Sequence, residues 1–421
     1  MEPGILSETS IQFTMRDKLL PFSLPSIGDE EISDIVAALR SGWFTSGPRC
    51  REFEQRFART VAAPAALALN SGTAALHVAL ATLGVGPGCA VITSAMTFCA
   101  DMHVIEQLGA RPILADVEPD TLNVDPLAVE RAARTLRPGE RLGAIMPVHL
   151  YGHPCERQDL LDIALRHGCA LIEDAAHAFP SRCGGKTIGS AEASDDVPVL
   201  TAFSFYATKN LTTGEGGMLT GPTQWIDKAR PWSLHGISRD VWNRDQGEPD
   251  PWFYEVTQPG FKYNMSDVQA AMGIAQLAKA PMFAERRAGI AAQYNEAFRQ
   301  VDGLQLPTCR ADVEHAWHIY ALRLNLEMLS ISRSEFIAEL RQNNIAASVH
   351  FIPIHLHRYF AEAYGYKPQD FPIAWREYQR LISLPIYPAM TVSDVQDVID
   401  AVRKVFAKHR KPVRRHAAVE A

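Results

Sequence analysis

Between about Ala66 and Thr220, short apolar runs recur at a spacing that leaves room for a helix between several of them. The runs Ala66–Leu69, Ala90–Thr93, Pro112–Asp116, Gly143–Val148, Cys169–Ile172 and Leu200–Phe205 are strand-length, and amphipathic stretches such as Pro126–Leu136 and Arg157–His167 lie between them. Strands alternating with helices pack as a mostly parallel sheet covered on both faces. The expected fold class is therefore α/β. Ligands of such sheets gather beyond the carboxyl ends of the strands, so chemistry is sought just after each run.

After Gly221 the texture changes. A Trp- and Pro-rich stretch (231–259) leads into a long helical run from Met265 to about Val301. Beyond it, WHIYALRLN reads as a strand, SRSEFIAELRQNN as a helix, and Ser393 to Ala407 as a terminal helix. This gives a loose N-terminus (1–18), a large domain (19–265), a bridging helical segment (266–305), a smaller C-terminal α+β domain (306–407) and a basic tail (408–421). A chain of 421 residues is long enough for two such cores. With 41 basic against 48 acidic side chains the net charge is −7, which argues against a nucleic-acid partner. The tail reads as a solvated end. No apolar run approaches the roughly 18 residues of a membrane span, and the start lacks a basic-then-apolar leader, so no membrane partner and a cytoplasmic setting are expected. Seven cysteines with no C-x-x-C pair read as reduced thiols.

Three stations in the βα block carry chemistry. At Asn70-Ser71-Gly72-Thr73 a strand runs into an alanine-rich helix, where free amides, a small residue and a hydroxyl make a phosphate cradle. An ordinary Ser/Thr helix cap is the alternative there. Two other phosphate loops are excluded. Gly84-Val-Gly86-Pro-Gly88 fails the G-x-G-x-x-G spacing, and Gly185-Lys186-Thr187 has Pro180 where a P-loop needs glycine. At the second station, Glu173 and Asp174 end an apolar strand; an acid there is either a helix cap or a buried counter-ion, and if Asp174 points inward a cation must face it. At the third, Lys209 follows Ser204 within one short loop, ahead of the glycine turn Gly214–Gly217. A lysine in a desolvated pocket loses its proton readily and becomes a nucleophile toward carbonyls. Phosphate cradle, carboxylate and lysine are the three anchors of pyridoxal 5'-phosphate, PLP.

At these residues the chain resembles the fold type I PLP-dependent nucleotide-sugar aminotransferases of the DegT/DnrJ family. The likeness runs from about Leu20 to Phe406. It is carried in order by SGWFTSGP (41–48), NSGTAALH (70–77), TSAMTFCA (93–100), PVHLYG (147–152), IEDAAHA (172–178), FSFYATKNLTTGEGGM (203–218), GFKYNMSDVQAAMG (260–273), HAWHIY (315–320) and HFIPIH (350–355). The resemblance implies that Lys209 is the Schiff-base lysine and Asp174 the partner of the pyridine nitrogen. It implies that Gly72, Thr73 and Ser204 hold the phosphate and that Phe98 stacks on the ring. His177 stands near the ring oxygen, where many relatives carry Gln. Asn264 would reach the cofactor of a neighbouring subunit, which implies a homodimer with shared sites. Dehydratases of the superfamily carry His where this chain has Lys209, so the likeness is to the transferases.

The expected reaction is a ping-pong transamination from L-glutamate to a keto carbon, C4 favoured, of a nucleotide-linked sugar such as dTDP-4-keto-6-deoxyglucose. A UDP-4-keto sugar or a 3-keto sugar nucleotide is the alternative substrate, with pyridoxamine phosphate formed during turnover. The products would serve deoxyaminosugar biosynthesis, for antibiotics or surface polysaccharides. A noncatalytic protein of the same fold would not need Lys209, and a nicotinamide oxidoreductase would need the dinucleotide fingerprint that is missing. His350, His355 and His357 read as structural or substrate-loop histidines rather than a metal site. Trp232, Trp242, Trp252, Tyr254, Arg239 and Arg244 either line the substrate entrance or belong to a surface loop or dimer interface.

Overall fold

The computed structural model describes residues 16–190, 197–237 and 253–412. Its strands in chain order are β1 (Ala65–Leu69), β2 (Cys89–Ser94), β3 (Arg111–Ala115), β4 (Arg141–Met146), β5 (Ala170–Asp174), β6 (Arg182–Cys183), β7 (Lys186–Thr187), β8 (Val199–Ser204), β9 (Gly217–Gly221), β10 (Leu304–Gln305), β11 (Val313–Glu314), β12 (Tyr320–Leu324) and β13 (Leu381–Leu384). Seven of them form the main sheet, in the order β1-β9-β8-β5-β4-β2-β3. Every pairing from β8 to β3 is parallel, and β9 runs antiparallel to both β1 and β8. The six runs read as strands all fall in this sheet.

β9 is the strand that periodicity did not separate. GMLTG begins and ends with glycine and follows β8 through the loop 205–216 with no helix between. Its first glycine has a specific reason: a Cβ on Gly217 would lie 2.3 Å from the Ser71 carbonyl oxygen. Only a residue without a side chain lets β9 pass beneath the turn at the end of β1.

Helices cover both faces. One face buries Phe53, Phe57, Phe203, Phe205 and Met218, with the Phe57 ring 5.0 Å from Phe203 and 5.4 Å from Phe205. The other buries the helix Gly72–Thr82, whose residues 74–81 are all inaccessible. That helix is apolar all round because strands and neighbouring helices enclose it.

The run read as a bridge is one helix, Asp267–Phe298, opened by a reciprocal Ser266/Gln269 cap. Its first residue acts at a distance: the Asp267 carboxylate accepts from the Gly47 amide at 2.7 Å and the Cys50 amide at 3.0 Å. It thereby caps the helix Pro48–Val61, which has no side-chain cap of its own. The far half of the long helix, Ile290 to Phe298, packs into a second core with β12, β13 and the helices Arg333–Gln342 and Val392–His409. Leu20 enters this second core too, pairing with Ile345. Arg16 bonds Asp394 and Asp397 of the last helix.

Glu173 on β5 faces away from Asp174, as alternation along a strand requires. It is fully buried, accepts from Arg157 Nε at 2.5 Å and Nη2 at 3.1 Å, and takes the Thr201 hydroxyl at 2.8 Å. Burial alone would raise its pKa, but Arg157 and His149 hold it well below the usual carboxylate range. Arg157→Ala strands this charge in the sheet and is expected to cost about 3–5 kcal/mol in urea denaturation of the cofactor-free protein, with partial recovery on adding Glu173→Gln. A loss under about 1 kcal/mol would show that the Glu173 charge is compensated elsewhere.

Candidate active site

The carboxyl ends of β1, β5 and β8 open onto a cavity of about 480 Å³. Gly72, Thr73, Phe98, Asp174, His177, Ser204 and Lys209 all line it. Seven of the eight expected site residues are thus brought together, and Asn264 is the exception. It pairs with Leu69 through the backbone and donates to Thr45 Oγ1 at 3.3 Å and Ser46 Oγ at 2.8 Å, outside the cavity lining.

The cradle forms as the local sequence dictates. Ser71 caps the helix Gly72–Thr82 by accepting the Ala74 amide at 3.0 Å. Ahead of it the Gly72 and Thr73 amides have no acceptor among the described residues, so two N–H groups face an incoming anion. A Cβ on Gly72 would stand 2.8 Å from Ser204 Cβ, so glycine lets the serine at the end of β8 close the cradle from the other side.

Asp174 is buried, and its Oδ1 accepts the Ala176 amide at 2.8 Å. Burial raises its pKa, opposed by that amide, by Lys209 and by His149. Lys209 follows β8 in a turn whose backbone closes from the Lys209 amide to the Tyr206 carbonyl at 2.9 Å. The residue is partly exposed toward the cavity. Enclosure of its amine lowers the pKa to about 8, while the Asp174 charge pulls the other way.

Residues far along the chain complete the wall. His318, from the loop before β12, and His350 and Phe351, from the loop that follows the helix Arg333–Gln342, all line the cavity. His177 lies 4.5 Å from the His318 ring and stacks on Phe351 at 5.6 Å. Burial, and then the nearby Lys209 charge, holds His177 and His350 below the usual imidazole range, His350 at about 4. His318 is lowered in the same way, first by burial. The Tyr151 amide donates to His177 Nδ1 at 3.2 Å, which fixes the neutral ring with its proton on Nε2. His318 and Phe351 were not singled out from the residues themselves. The signal available was that HAWHIY and HFIPIH both combine histidine with aromatics. His355 is buried beside Phe371 and does not line the cavity. Trp232 packs against Phe261 and Tyr254 is partly exposed, whereas Arg239, Trp242, Arg244 and Trp252 lie outside the described residues.

An anion cradle, a buried carboxylate and an amine of lowered pKa on one cavity fit PLP: Gly72, Thr73 and Ser204 would hold its phosphate, Asp174 would face its ring nitrogen and Lys209 its aldehyde. Fold and site together define a PLP enzyme of fold type I. The chain belongs to the DegT/DnrJ/EryC1/StrS aminotransferase family, whose pattern matches residues 25–403, and members of this family are PLP-dependent sugar aminotransferases. It is 46% identical to the spore coat polysaccharide biosynthesis protein SpsC of Bacillus subtilis over 93% of this chain and 98% of that protein. Among solved structures it resembles the PLP form of the sugar aminotransferase Spr1654 from Streptococcus pneumoniae, at 31% identity and a TM-score of 0.81 over 93% of this chain and 99% of that one. It also resembles DesV from S. venezuelae in complex with a ketimine intermediate, at 31% identity and a TM-score of 0.78 over 90% and 94% of the two chains. No helix among the described residues is long and apolar enough to cross a membrane.

The lowered lysine pKa has a direct test. Below pH 8 the Lys209 amine is mostly protonated, and above it mostly free. Borohydride trapping of PLP on Lys209, followed by peptide mass, is expected to rise with pH and reach half its maximum near 8. A midpoint near 10.5, the ordinary lysine value, would show a solvated amine.

Proposed function

We propose that the protein transfers the amino group of L-glutamate, by a ping-pong course, to the C4 keto carbon of a nucleotide-linked sugar such as dTDP-4-keto-6-deoxyglucose. The observation that carries the transferase reading is the convergence of Lys209, Asp174 and the Gly72–Thr73 cradle on one cavity. When bound, PLP supplies an electron sink for the pair left behind as the donor's Cα–H bond breaks. The chain's own residues do the rest. Lys209 Nζ takes the Cα proton and redelivers it, a task suited to an amine with a pKa of about 8. The Asp174 carboxylate keeps the ring nitrogen protonated. His177 Nε2–H stands as a donor toward the ring oxygen, and Phe98 and Phe351, whose rings lie 5.9 Å apart, together shield the cavity from water.

The 4-keto assignment rests on the likeness of HAWHIY, GFKYN and HFIPIH to family members acting at that carbon. SpsC's name supports a product destined for a surface polysaccharide more than for an antibiotic. Asn264, beside exposed Trp43 and Phe44, is suited to reach across a subunit boundary, which supports a homodimer with shared sites. Seven free thiols, four of them buried, fit a reducing cytoplasmic setting.

The test is to incubate the protein with PLP, L-glutamate and a panel of 3-keto and 4-keto sugar nucleotides and read products by mass. Amination of a 4-keto substrate is expected, abolished by Lys209→Ala. Amination of 3-keto substrates alone would overturn the C4 assignment, and no product from any would overturn the substrate class. Mixing Lys209→Ala with Asn264→Ala subunits is expected to restore about a quarter of wild-type activity, since one site in each mixed dimer is whole. No recovery after proven subunit exchange would mean that each site is complete within one chain.

A further inference from the structure

Asp101, in the helix Ala100–Gln107 behind the cavity, is inaccessible to solvent. Its Oδ2 accepts the Thr97 hydroxyl at 2.6 Å, whereas the hydroxyl of nearby Thr93 donates to the Met146 carbonyl at 2.8 Å. Its Oδ1 has no conventional donor among the described residues. The carboxyl of Asp174 is the other side chain in hydrogen-bonding contact with Asp101. Two carboxyls therefore touch in a buried place. Lys209 and His149 are titratable groups that act on Asp174, whereas Asp174 itself is the charged group that acts most on Asp101.

Two adjacent carboxylates cannot both ionise there, so the pair holds one proton. The partners decide where it sits. Asp174 has a backbone amide and the Lys209 charge to stabilise an anion. Asp101 has the Thr97 hydroxyl. Burial, then the Asp174 charge, pushes the Asp101 pKa well above its usual value.

We propose that Asp101 is a positioning residue that stands behind Asp174 as a neutral carboxylic acid and donates its O–H to the Asp174 carboxylate, holding that group charged and aimed into the cavity. The bond favours the ionised form of Asp174 needed opposite a protonated ring nitrogen. The consequence for the cofactor rests on the proposed role of Asp174; the shared proton does not.

The proton is read first in cofactor-free protein. Infrared spectra at neutral pH, with and without carbon-13-labelled aspartate, should show the carbonyl stretch of a protonated aspartic acid in the wild type and lose it in Asp101→Asn. No such band in the wild type, or its persistence in Asp101→Asn, overturns the proposal. The positioning role is read from the Kd for PLP. Asp101→Ala removes the donor and should weaken binding about tenfold or more, while Asp101→Asn, whose amide can still donate, should recover most of that loss. Equal weakening in both variants, or none in Asp101→Ala, also overturns it. Should Asp101→Ala fail to fold, the infrared comparison decides. Wild-type protein that shows the band but binds no PLP would defeat the cofactor reading and leave the shared proton standing.

Discussion

A lysine ammonium withdrawn from water gives up most of what stabilises its charge, and the site around Lys209 is organised by that loss. One carboxylate, Asp174, offsets it, and the remaining neighbours add no positive charge. His177, His318 and His350 all border the same space, and burial keeps each neutral at physiological pH. Three further cations would drive Lys209 far lower and compete for Asp174. Three neutral imidazoles instead leave donors and acceptors without charge. The lysine then stays near the balance between ammonium and amine, where one group can both accept and return a proton.

That balance depends on the sheet. In parallel strands the residues just past the carboxyl ends share one edge, so a carboxylate ending β5 and a lysine after β8 become neighbours with no long-range search. The same geometry separates Glu173 from Asp174. The two adjacent acids of one strand project to opposite faces, one into a structural pair with Arg157 and the other into the cavity. In the sequence they are an undifferentiated Glu-Asp; only the sheet gives them different tasks.

This marks what was legible in the chain and what was not. Strands β1, β2, β3, β4, β5 and β8 announced themselves because apolar runs flanked by helical periodicity are what a doubly covered sheet requires. The cradle and Lys209 were legible because each lies beside its strand in sequence. Asp101 was passed over, since an acid in the first turn of a helix reads as an ordinary partner of the helix dipole. Its meaning comes from contact with Asp174, 73 positions later. His318 and Phe351 were illegible from spacing for the same reason: they reach the cavity through a second core, and no local pattern records where that core sits.

The second core is held to the cavity by a buried cation. Arg287, on the long helix, donates to the Ile386 carbonyl at 2.7 Å and the Trp317 carbonyl at 3.2 Å. Burial lowers its pKa to about 9, and carbonyl dipoles, not a carboxylate, face its Nη1. Trp317 precedes His318, so this bond sets the backbone from which His318 enters the wall. Tyr151 performs the matching task from the sheet side, giving its amide to His177 and its hydroxyl to the His350 carbonyl. Where an amide side chain would present an N–H through a freely turning group, His177 presents one through a ring whose other nitrogen is already engaged. In its proposed role the imidazole would replace the amide as a donor while removing its choice of orientation, because Tyr151 allows only the tautomer that carries its proton on Nε2.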